Sequence, residues 1–361
     1  MTVAIAAAGT GGHLYPALAV ADSLVTDLGV PADEIVFFGG DRMETTMVPS
    51  AGYRLEQVDI RGLERSLSFG NLSLPFVVRR AAHRMATVMD AAATKVVAAF
   101  GSYITVPAAL AARRVGVPFV VHEQNAVPGL ANRLAARRAT TTLVGFPQAA
   151  ERLRGAIVVG NPLRRELATF DRKASRAAAR GMYGLDPEAP VVGILGGSLG
   201  ARILNELADR IATTNGGKLH VLHLSGRRDA ERFLTASASV DTWTVVPFEP
   251  AMDRFYAAVD LVVSRAGAST ISELAVTGTP AIVVPYALGT AGHQDANAAE
   301  LAAAGGCVVV PEGEVDSILP LVADLVVDGD RLATMGAAAR SVARPDAART
   351  VATVLAETID G

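Results

Sequence analysis

Short apolar runs alternate with helix-period segments along the whole of this 361-residue chain. That alternation is the pattern of βαβ units, in which helices connect the strands of a parallel sheet. It predicts an α/β fold of the doubly wound kind. The predicted strands are 3–8, 35–38, 96–100, 118–122, 141–144, 156–159, 191–195, 219–224, 243–246, 260–263, 281–284 and 307–310.

The composition excludes several classes of protein. Half of the residues are hydrophobic and 19% are charged, so the chain buries a sizeable core and is not disordered. A net charge of −3 gives no general attraction to polyanions, and we expect no nucleic-acid partner. The single cysteine, Cys307, favours a reducing compartment, and no Cys/His cluster has the spacing of a zinc site.

Two features argue against membrane insertion. The N-terminus lacks the basic region of a signal peptide. The longest uncharged run, 96–112, contains Gly101 and Pro107 and is predicted to form a strand, a turn and a helix rather than a span.

Two glycine-rich turns follow predicted strands at matched positions, one at 9–12 and one at 196–200. Leu14 replaces the third glycine of a dinucleotide fingerprint, and no lysine follows Gly12 as in a Walker loop. Glycines and helix N-termini nevertheless favour bound anions, whereas a single such turn is equally compatible with an empty βα connection. The pair of turns favours a ligand and predicts two doubly wound domains with a common cleft.

The predicted domain boundary lies at Asn161-Pro162, a turn-forming pair followed by charged residues. It gives an N-terminal domain of residues 1–162 and a C-terminal domain of residues 163–343. A last helix within 344–361 is expected to pack back on the first domain.

His13 directly follows the first glycine turn. There it is a candidate general base or anion ligand, or else a residue that bonds the local backbone at a helix start. Glu123, in the polar stretch His-Glu-Gln-Asn after another strand, is either a base or a residue that orients its neighbours.

The C-terminal half carries two further candidates. Thr270 and Glu273 have the spacing of a capping box. The alternative is that the Glu273 carboxylate binds a ribose diol. Spacing alone favours the capping box. His293, Gln294 and Asn297 offer uncharged hydrogen bonds suited to a sugar, or form the solvated start of a helix.

Seven stretches occur in the order typical of one family: GTGGHLYPALAVA, DRME, VVHEQNAVPGLANR, VGNPLR, GGSLGARILN, SRAGASTISE and HQDANA. Together they resemble the MurG family, the UDP-N-acetylglucosamine transferases of cell-wall precursor synthesis. The resemblance implies a GT-B fold of two Rossmann-like domains with the active site in the cleft between them. It also implies transfer of GlcNAc from UDP-GlcNAc to the 4-hydroxyl of the MurNAc unit of lipid I. The transfer gives lipid II with inversion and needs no catalytic metal or other cofactor.

The same resemblance assigns roles in the N-terminal half. Thr10, Gly11 and Gly12 are expected to border the donor sugar and the acceptor diphosphate, with His13 as candidate base. Asn125 is expected to contact the GlcNAc.

Further assignments concern the UDP. Arg164 and Ser198 are expected near the diphosphate. The main chain near Phe248 and Glu249 is expected to contact the uracil, and Glu273 the ribose hydroxyls. Gln294 is expected to contact GlcNAc. The other substrate-binding positions expected on this basis are Arg265, Ala268, Ser269, Thr270, Ile271, Ser272, His293 and Asn297.

This sequence departs from the usual family pattern at three places. Ser102 stands where a second glycine is usual, Ala266 replaces a serine, and Gly292 replaces an acidic residue. These departures affect loop geometry and fine contacts.

Residues 67–84 combine apolar side chains with arginines, which suits an anionic membrane surface and a polyprenyl-linked acceptor. The resemblance implies a peripheral location on the cytoplasmic face of the cell membrane, whereas the residues alone favour a core helix. A core helix with a charged edge is the alternative. The stretch contains Leu67, Phe69, Leu72, Leu74, Phe76, Val77, Val78, Arg79, Arg80 and Arg84.

Three other functions remain open. A UDP-GlcNAc 2-epimerase would share the fold and donor. An NAD-dependent reductase would use Asp41 to hold a ribose, but the missing third glycine argues against it. A nucleotide-sugar-binding regulator would bind without turnover.

Overall fold

The computed structural model describes residues 2–60, 74–197, 200–287 and 292–360. The chain divides into an N-terminal unit, Met1–Arg164 with Pro345–Gly361, and a C-terminal unit, Arg165–Arg344. The expected boundary at 162/163 stands two residues before this division.

The described strands are β1 (Val3–Ala6), β2 (Ile35–Gly39), β3 (Arg54–Gln57), β4 (Val96–Ala99), β5 (Phe119–Glu123), β6 (Thr141–Val144), β7 (Ile157–Val158), β8 (Val191–Leu195), β9 (His220–Leu224), β10 (Trp243–Val246), β11 (Leu261–Ser264), β12 (Ala281–Val283) and β13 (Cys307–Val309).

The described helices are α1 (Gly11–Thr26), α2 (Glu44–Ser50), α3 (Leu74–Ala91), α4 (Thr105–Val115), α5 (Leu130–Ala136), α6 (Pro147–Ala150), α7 (Arg165–Ala168), α8 (Arg172–Met182), α9 (Arg202–Thr214), α10 (Ala230–Ser237), α11 (Met252–Ala258), α12 (Ala268–Thr277), α13 (His293–Ala304), α14 (Ile318–Val326), α15 (Gly329–Ser341) and α16 (Ala347–Asp360). Short 3-10 turns lie at Ala32–Glu34 and Glu312–Ser317.

The N-terminal unit contains a seven-stranded sheet in the order β3-β2-β1-β4-β5-β6-β7, with every neighbouring pair parallel. Side chains alternate between its two faces, so Val3 and Ile5 belong to one buried cluster and Ala4 and Ala6 to the other. Helices cover both faces. The last helix, α16, contributes Val351, Ala352 and Leu355 to the cluster that also contains the apolar face of α1.

The C-terminal unit repeats this plan with six parallel strands in the order β10-β9-β8-β11-β12-β13. One buried cluster joins β8 and β11 to α9 and α14 through residues such as Ile194, Leu207, Val263 and Val322. Central strands such as β8 and β11 are buried, which is why they appear in the sequence as apolar runs, whereas the edge strands β3, β7, β10 and β13 are partly exposed.

In both sheets the strand order reverses beside the first strand of the unit. The reversal lies between β1 and β4 in one unit and between β8 and β11 in the other. Open α/β sheets bind their ligands beyond the carboxyl ends of the strands at such a reversal. The two glycine turns follow β1 and β8 and therefore lie at these positions.

All twelve strands predicted from sequence are confirmed, with ends that shift by up to two residues. The run 96–112 forms β4, a turn and the start of α4, as expected. Within the described ranges, no helix combines the length and apolar character needed to span a membrane.

Candidate functional site

The first glycine turn leaves three backbone amides available. Thr10 is the N-cap of α1, and its carbonyl accepts from the N–H groups of His13 and Leu14 at 3.1 and 3.2 Å. The N–H groups of Thr10, Gly11 and Gly12 make no hydrogen bond to any residue that the structure describes. Unsatisfied amides at a helix start favour an anion, so this turn has the chemistry of a phosphate site.

His13 lies on the first turn of α1, where its ring is closely packed although the residue keeps some exposed surface. Its Nδ1 lies 3.2 Å from the hydroxyl of Thr10. Burial lowers the pKa of His13 from 6.5 to about 4. The imidazole is therefore neutral at pH 7 and has a lone pair that can accept a proton.

The backbone after β4 approaches this ring closely. A Cβ atom on Gly101, which has φ +88°, would lie 2.8 Å from Cδ2 of His13 and 3.3 Å from Oε1 of Gln124. Only glycine fits that space. Ser102 also has a left-handed backbone, with φ 71°, although it carries a side chain. The position at which the family pattern has glycine is thus one that glycine suits.

Glu123 ends β5 and is buried. Its carboxylate accepts from the backbone N–H groups of Asn125 at 2.8 Å and Gly129 at 3.0 Å, and from Nδ2 of Asn132 at 2.9 Å. These bonds fix the loop that presents Asn125, whose own Nδ2 lies 3.2 Å from the same carboxylate. Of its two alternative roles, the geometry favours orientation over proton transfer.

Behind this loop lies a buried polar network that the sequence did not reveal. Gln124 donates from Nε2 to Nδ1 of His122 at 3.1 Å, and Nε2 of His122 contacts the carbonyl of Gly160 at 2.9 Å. Asn161 donates to the backbone carbonyl of Gln124 at 3.0 Å. Burial lowers the pKa of His122 to about 4, so the network is neutral. It connects the ends of β5 and β7 beneath Asn125.

Glu44 is another residue to which the sequence analysis assigned no role. It is fully buried at the start of α2 and accepts from the N–H groups of Gly40 at 2.7 Å and Gly9 at 3.3 Å. It therefore secures the base of the first glycine turn. The stretch DRME contains it, but neither partner is predictable from local spacing.

Arg164, which ends the first segment of the N-terminal unit, places its guanidinium 5.1 Å from the ring centre of Tyr15 on α1. The contact brings a cation to the helix that begins at the first glycine turn. Tyr15 is a further residue that the sequence did not single out.

In the C-terminal unit, α12 begins at Ala268 with Gly267 as N-cap and no side-chain cap. The capping box predicted for Thr270 and Glu273 is therefore wrong, because the helix starts earlier than its spacing requires. Glu273 instead accepts from the hydroxyl of Tyr256 at 2.8 Å.

The start of α12 is also open to a ligand. Within the described residues, the N–H groups of Ala268, Ser269 and Thr270 and the buried hydroxyl of Ser269 make no hydrogen bond. Ser269 and Glu273 lie four residues apart and share one face of the helix. Amides that favour phosphate and a carboxylate that favours hydroxyls thus occur on the same helix. The side chain of Ile271 is buried, and Ser272 bonds to the carbonyl of Ala268 at 3.0 Å.

Arg265 shapes the loop after β12. Its guanidinium donates to the carbonyl of Val284 at 3.1 Å and to Glu312 at 2.9 Å, and Glu312 accepts the N–H of Ala287 at 2.9 Å. The guanidinium also lies over the ring of Tyr286. Hydrogen bonding to Arg265 lowers the pKa of Glu312, so this ion pair persists at neutral pH.

The loop after β10 carries Phe248 and Glu249. Arg227 lies over the Phe248 ring at 4.6 Å. Glu249 accepts from the hydroxyl of Tyr183 and from the N–H of Ala251, both at 2.7 Å. Both carboxylate oxygens thus hold the loop in shape.

Residues at the start of α13 also contribute to the packing of the loops. His293 is the first residue of this helix, and Gln294 accepts the N–H of Tyr286 at 2.9 Å. Asn297 is buried and donates to the carbonyl of Ala266 at 3.2 Å. These residues connect the α13 start to the ends of β11 and β12.

Several expectations stay predictions. Ser198 lies outside the described residues. The ligand contacts assigned to individual residues and the cleft between the units also remain untested. The described ranges contain no group of three His, Cys, Asp or Glu residues placed to hold a metal ion.

Comparison with known proteins supplies the context for these sites. Residues 3–144 match the glycosyltransferase family 28 N-terminal domain and residues 191–351 its C-terminal domain. The chain is 40% identical over 365 residues to a UDP-N-acetylglucosamine--N-acetylmuramyl-(pentapeptide) pyrophosphoryl-undecaprenol N-acetylglucosamine transferase from Nocardioides sp. (strain ATCC BAA-499 / JS614), covering 99% of this chain and 98% of that protein.

Two solved structures share the fold over nearly the whole length. The MurG crystal structure from Acinetobacter baumannii matches with a TM-score of 0.76 at 29% identity, with 99% of each chain covered. Anabaena HepE in complex with UDP and glucose matches with a TM-score of 0.65 at 15% identity, with 100% of each chain covered, and this likeness concerns the fold alone.

The buried setting of His13 predicts its titration. We expect NMR of the ring protons, assigned by their loss in His13→Asn, to give a pKa of about 4, because burial disfavours the charged imidazolium. A midpoint close to the ordinary value of 6.5 would contradict the closely packed ring described above.

Proposed function

We propose a function from one premise: this chain belongs to glycosyltransferase family 28 and, within it, to the MurG transferases. It is a GlcNAc transferase with the two doubly wound domains of the GT-B fold. Its reaction is the transfer of GlcNAc from UDP-GlcNAc to lipid I, which yields lipid II for peptidoglycan synthesis.

The start of α12 is the observation that most strongly supports a nucleotide-sugar donor. Its open amides and the Ser269 hydroxyl suit a phosphate, and Glu273 on the same face suits the ribose diol. The shaped loop at Phe248 and Glu249 offers main-chain groups for the uracil, and Gln294 lies at the start of the next helix for the sugar.

The first glycine turn suits the acceptor side of the reaction. In the proposed mechanism the 4-hydroxyl of MurNAc attacks C1 of GlcNAc on the face opposite UDP. The new C1–O bond forms as the bond from C1 to the diphosphate oxygen breaks, which inverts the anomeric centre. The neutral ring of His13 takes the hydroxyl proton, and Asn125 contacts the sugar.

The departing UDP develops negative charge, which must be stabilised. Backbone amides at helix starts and the guanidinium of Arg164 are the donors that we assign to this task, without a metal ion or other cofactor. Ser198 belongs to the same proposal on the basis of the family motif alone.

An acceptor-dependence assay tests the function. We expect GlcNAc to appear on a lipid I analogue only when UDP-GlcNAc and the analogue are both supplied. Release of UDP or formation of an epimer without the analogue would indicate the epimerase, and binding without product would indicate a regulator. Either outcome would contradict the transferase.

Glu273 provides a residue-level test. We expect Glu273→Gln to raise the KM for UDP-GlcNAc by about tenfold or more, because hydrogen bonds to a charged group contribute about 1.5–3 kcal/mol. The matched control is Glu206→Gln, an exposed glutamate on α9 of the same unit. An unchanged KM in Glu273→Gln would show that this residue does not bind the ribose.

We also propose that the enzyme binds the cytoplasmic face of the membrane peripherally, through the part of 67–84 that α3 contains. Ala81, Met85 and Met89 form the buried face of α3, whereas Phe76 is 70% exposed. Arg79, Arg80, and Arg84 are exposed close to it, and Arg80 pairs with Asp59. An exposed aromatic ring flanked by arginines suits anionic headgroups. Leu67, Phe69 and Leu72 lie outside the described residues.

A vesicle assay tests this contact. We expect Phe76→Ser to weaken binding to vesicles that contain phosphatidylglycerol by roughly tenfold, since an inserted aromatic side chain contributes about 1.5–3 kcal/mol. Val327→Ser, at a 74% exposed site in the C-terminal unit, is the control and should bind like the parent. Unchanged vesicle binding by folded Phe76→Ser protein would contradict the proposal.

A further inference from the structure

The C-terminal unit has a polar cavity at the edge of its sheet opposite the proposed donor site. It has a volume of about 200 Å³ and lies where β11 and β12 begin rather than where they end. Parts of α8, α12 and α15 surround it. Its walls include Arg172, Asp260, Gly278, Pro280, Gly336 and Arg340, and the other wall residues belong to α15.

Close backbone packing between α12 and α15 forms one wall. A Cβ atom on Gly336 would lie 2.7 Å from the carbonyl oxygen of Gly278. Gly278 follows α12 as its C-cap in the left-handed conformation, and a Cβ atom there would collide with Nη1 of Arg340. The guanidinium of Arg340 therefore lies directly against the end of α12.

The carboxylate of Asp260 is fully used by other donors. One oxygen accepts from Arg176 at 2.6 Å, and the other accepts from Arg180 at 2.8 Å and from the N–H of Val191 at 2.9 Å. It is the carboxylate in the wall of the cavity. It does not pair with either arginine that lines the space.

Among the residues that the structure describes, neither of the two lining arginines has a carboxylate partner. Arg172 donates from Nε to the carbonyl of Tyr256 at 3.0 Å and from one Nη to the carbonyl of Val259. Within the described part of the chain, the guanidinium of Arg340 makes no hydrogen bond or ion pair, and neither does the second Nη of Arg172.

The local charge is strongly positive. Burial lowers the pKa of Arg172 to about 10, and the neighbouring charges of Arg176, Arg340 and Arg180 add to the effect while Asp260 opposes it. Arg172 is still charged at pH 7, and the charges that act on it are those of three other guanidinium groups and of the Asp260 carboxylate. Asp328 and Asp330 at the start of α15 do not line the cavity, and Asp328 accepts the N–H of Arg331 at 2.9 Å.

We propose that this cavity is a second anion site, in which Arg172 and Arg340 bind a phosphate dianion. Guanidinium groups present paired N–H donors that match phosphate oxygens, and each such charge-assisted bond is stronger than a neutral one. The volume is below the roughly 300 Å³ at which pockets for drug-sized ligands begin, which suits a small oxyanion.

A phosphate at this site has a structural consequence for α12. The helix begins at the proposed donor site and ends at Gly278 in the wall of the cavity. Because the anion binds the assembled site and not the unfolded chain, it stabilises the folded C-terminal unit.

Thermal unfolding of the full chain tests the proposal. Inorganic phosphate is titrated against sodium chloride at matched ionic strength, with UDP at saturating concentration to occupy the donor site. We expect the unfolding midpoint of the parent to rise with phosphate. Arg340→Ala should need at least about tenfold more phosphate for the same rise, which corresponds to one lost charge-assisted bond.

Matched variants make the result specific. Arg331→Ala removes an exposed arginine from the first turn of the same helix and should respond like the parent. Arg340→Lys keeps the charge without the paired donors and should respond between the parent and Arg340→Ala. Equal phosphate responses in all four proteins, or no response in the parent, would overturn the site. This comparison stands whether or not UDP binds.

Discussion

Burial of both faces of each parallel sheet is the constraint on which the rest of this molecule depends. Helices cover the two faces, as the alternating clusters around Val3 and Ala4 illustrate, so only the ends of the strands remain for chemistry. The reversal of strand order beside β1 and β8 then separates neighbouring connections and leaves room for a ligand. Each unit accordingly places its glycine turn, its helix start and its polar side chains at this edge.

The same constraint explains how much of the fold was predictable. The central strands are buried and largely apolar, and all of them were found from sequence, as were the edge strands β7, β10 and β13. β3 was missed because it pairs with β2 alone at the edge of its sheet, and its residues Arg54, Leu55, Glu56 and Gln57 are partly or fully exposed. An edge strand needs no apolar run, so its sequence resembles that of a loop.

The candidate site was predictable where backbone chemistry dominates and unpredictable where distant side chains meet. Gly11 and Gly12 predict an open helix start from the sequence alone. Glu44 contacts a residue 35 positions away, and Asn161 contacts one 37 positions away, so neither role has a local signal. The error at Thr270 has a local origin, because α12 begins at Ala268 with Gly267 as its N-cap, so Thr270 is already inside the helix.

The buried histidines make the fold sensitive to acid. Desolvation lowers the pKa values of His13 and His122 to about 4 and that of His223 to about 3, whereas an unfolded histidine titrates near 6.5. Unfolding therefore takes up protons as the pH falls below 6.5. Each of these histidines lowers the free energy of unfolding further until the pH falls below its pKa in the folded state. Acidification therefore lowers the stability of the fold and also removes the neutral imidazole of His13.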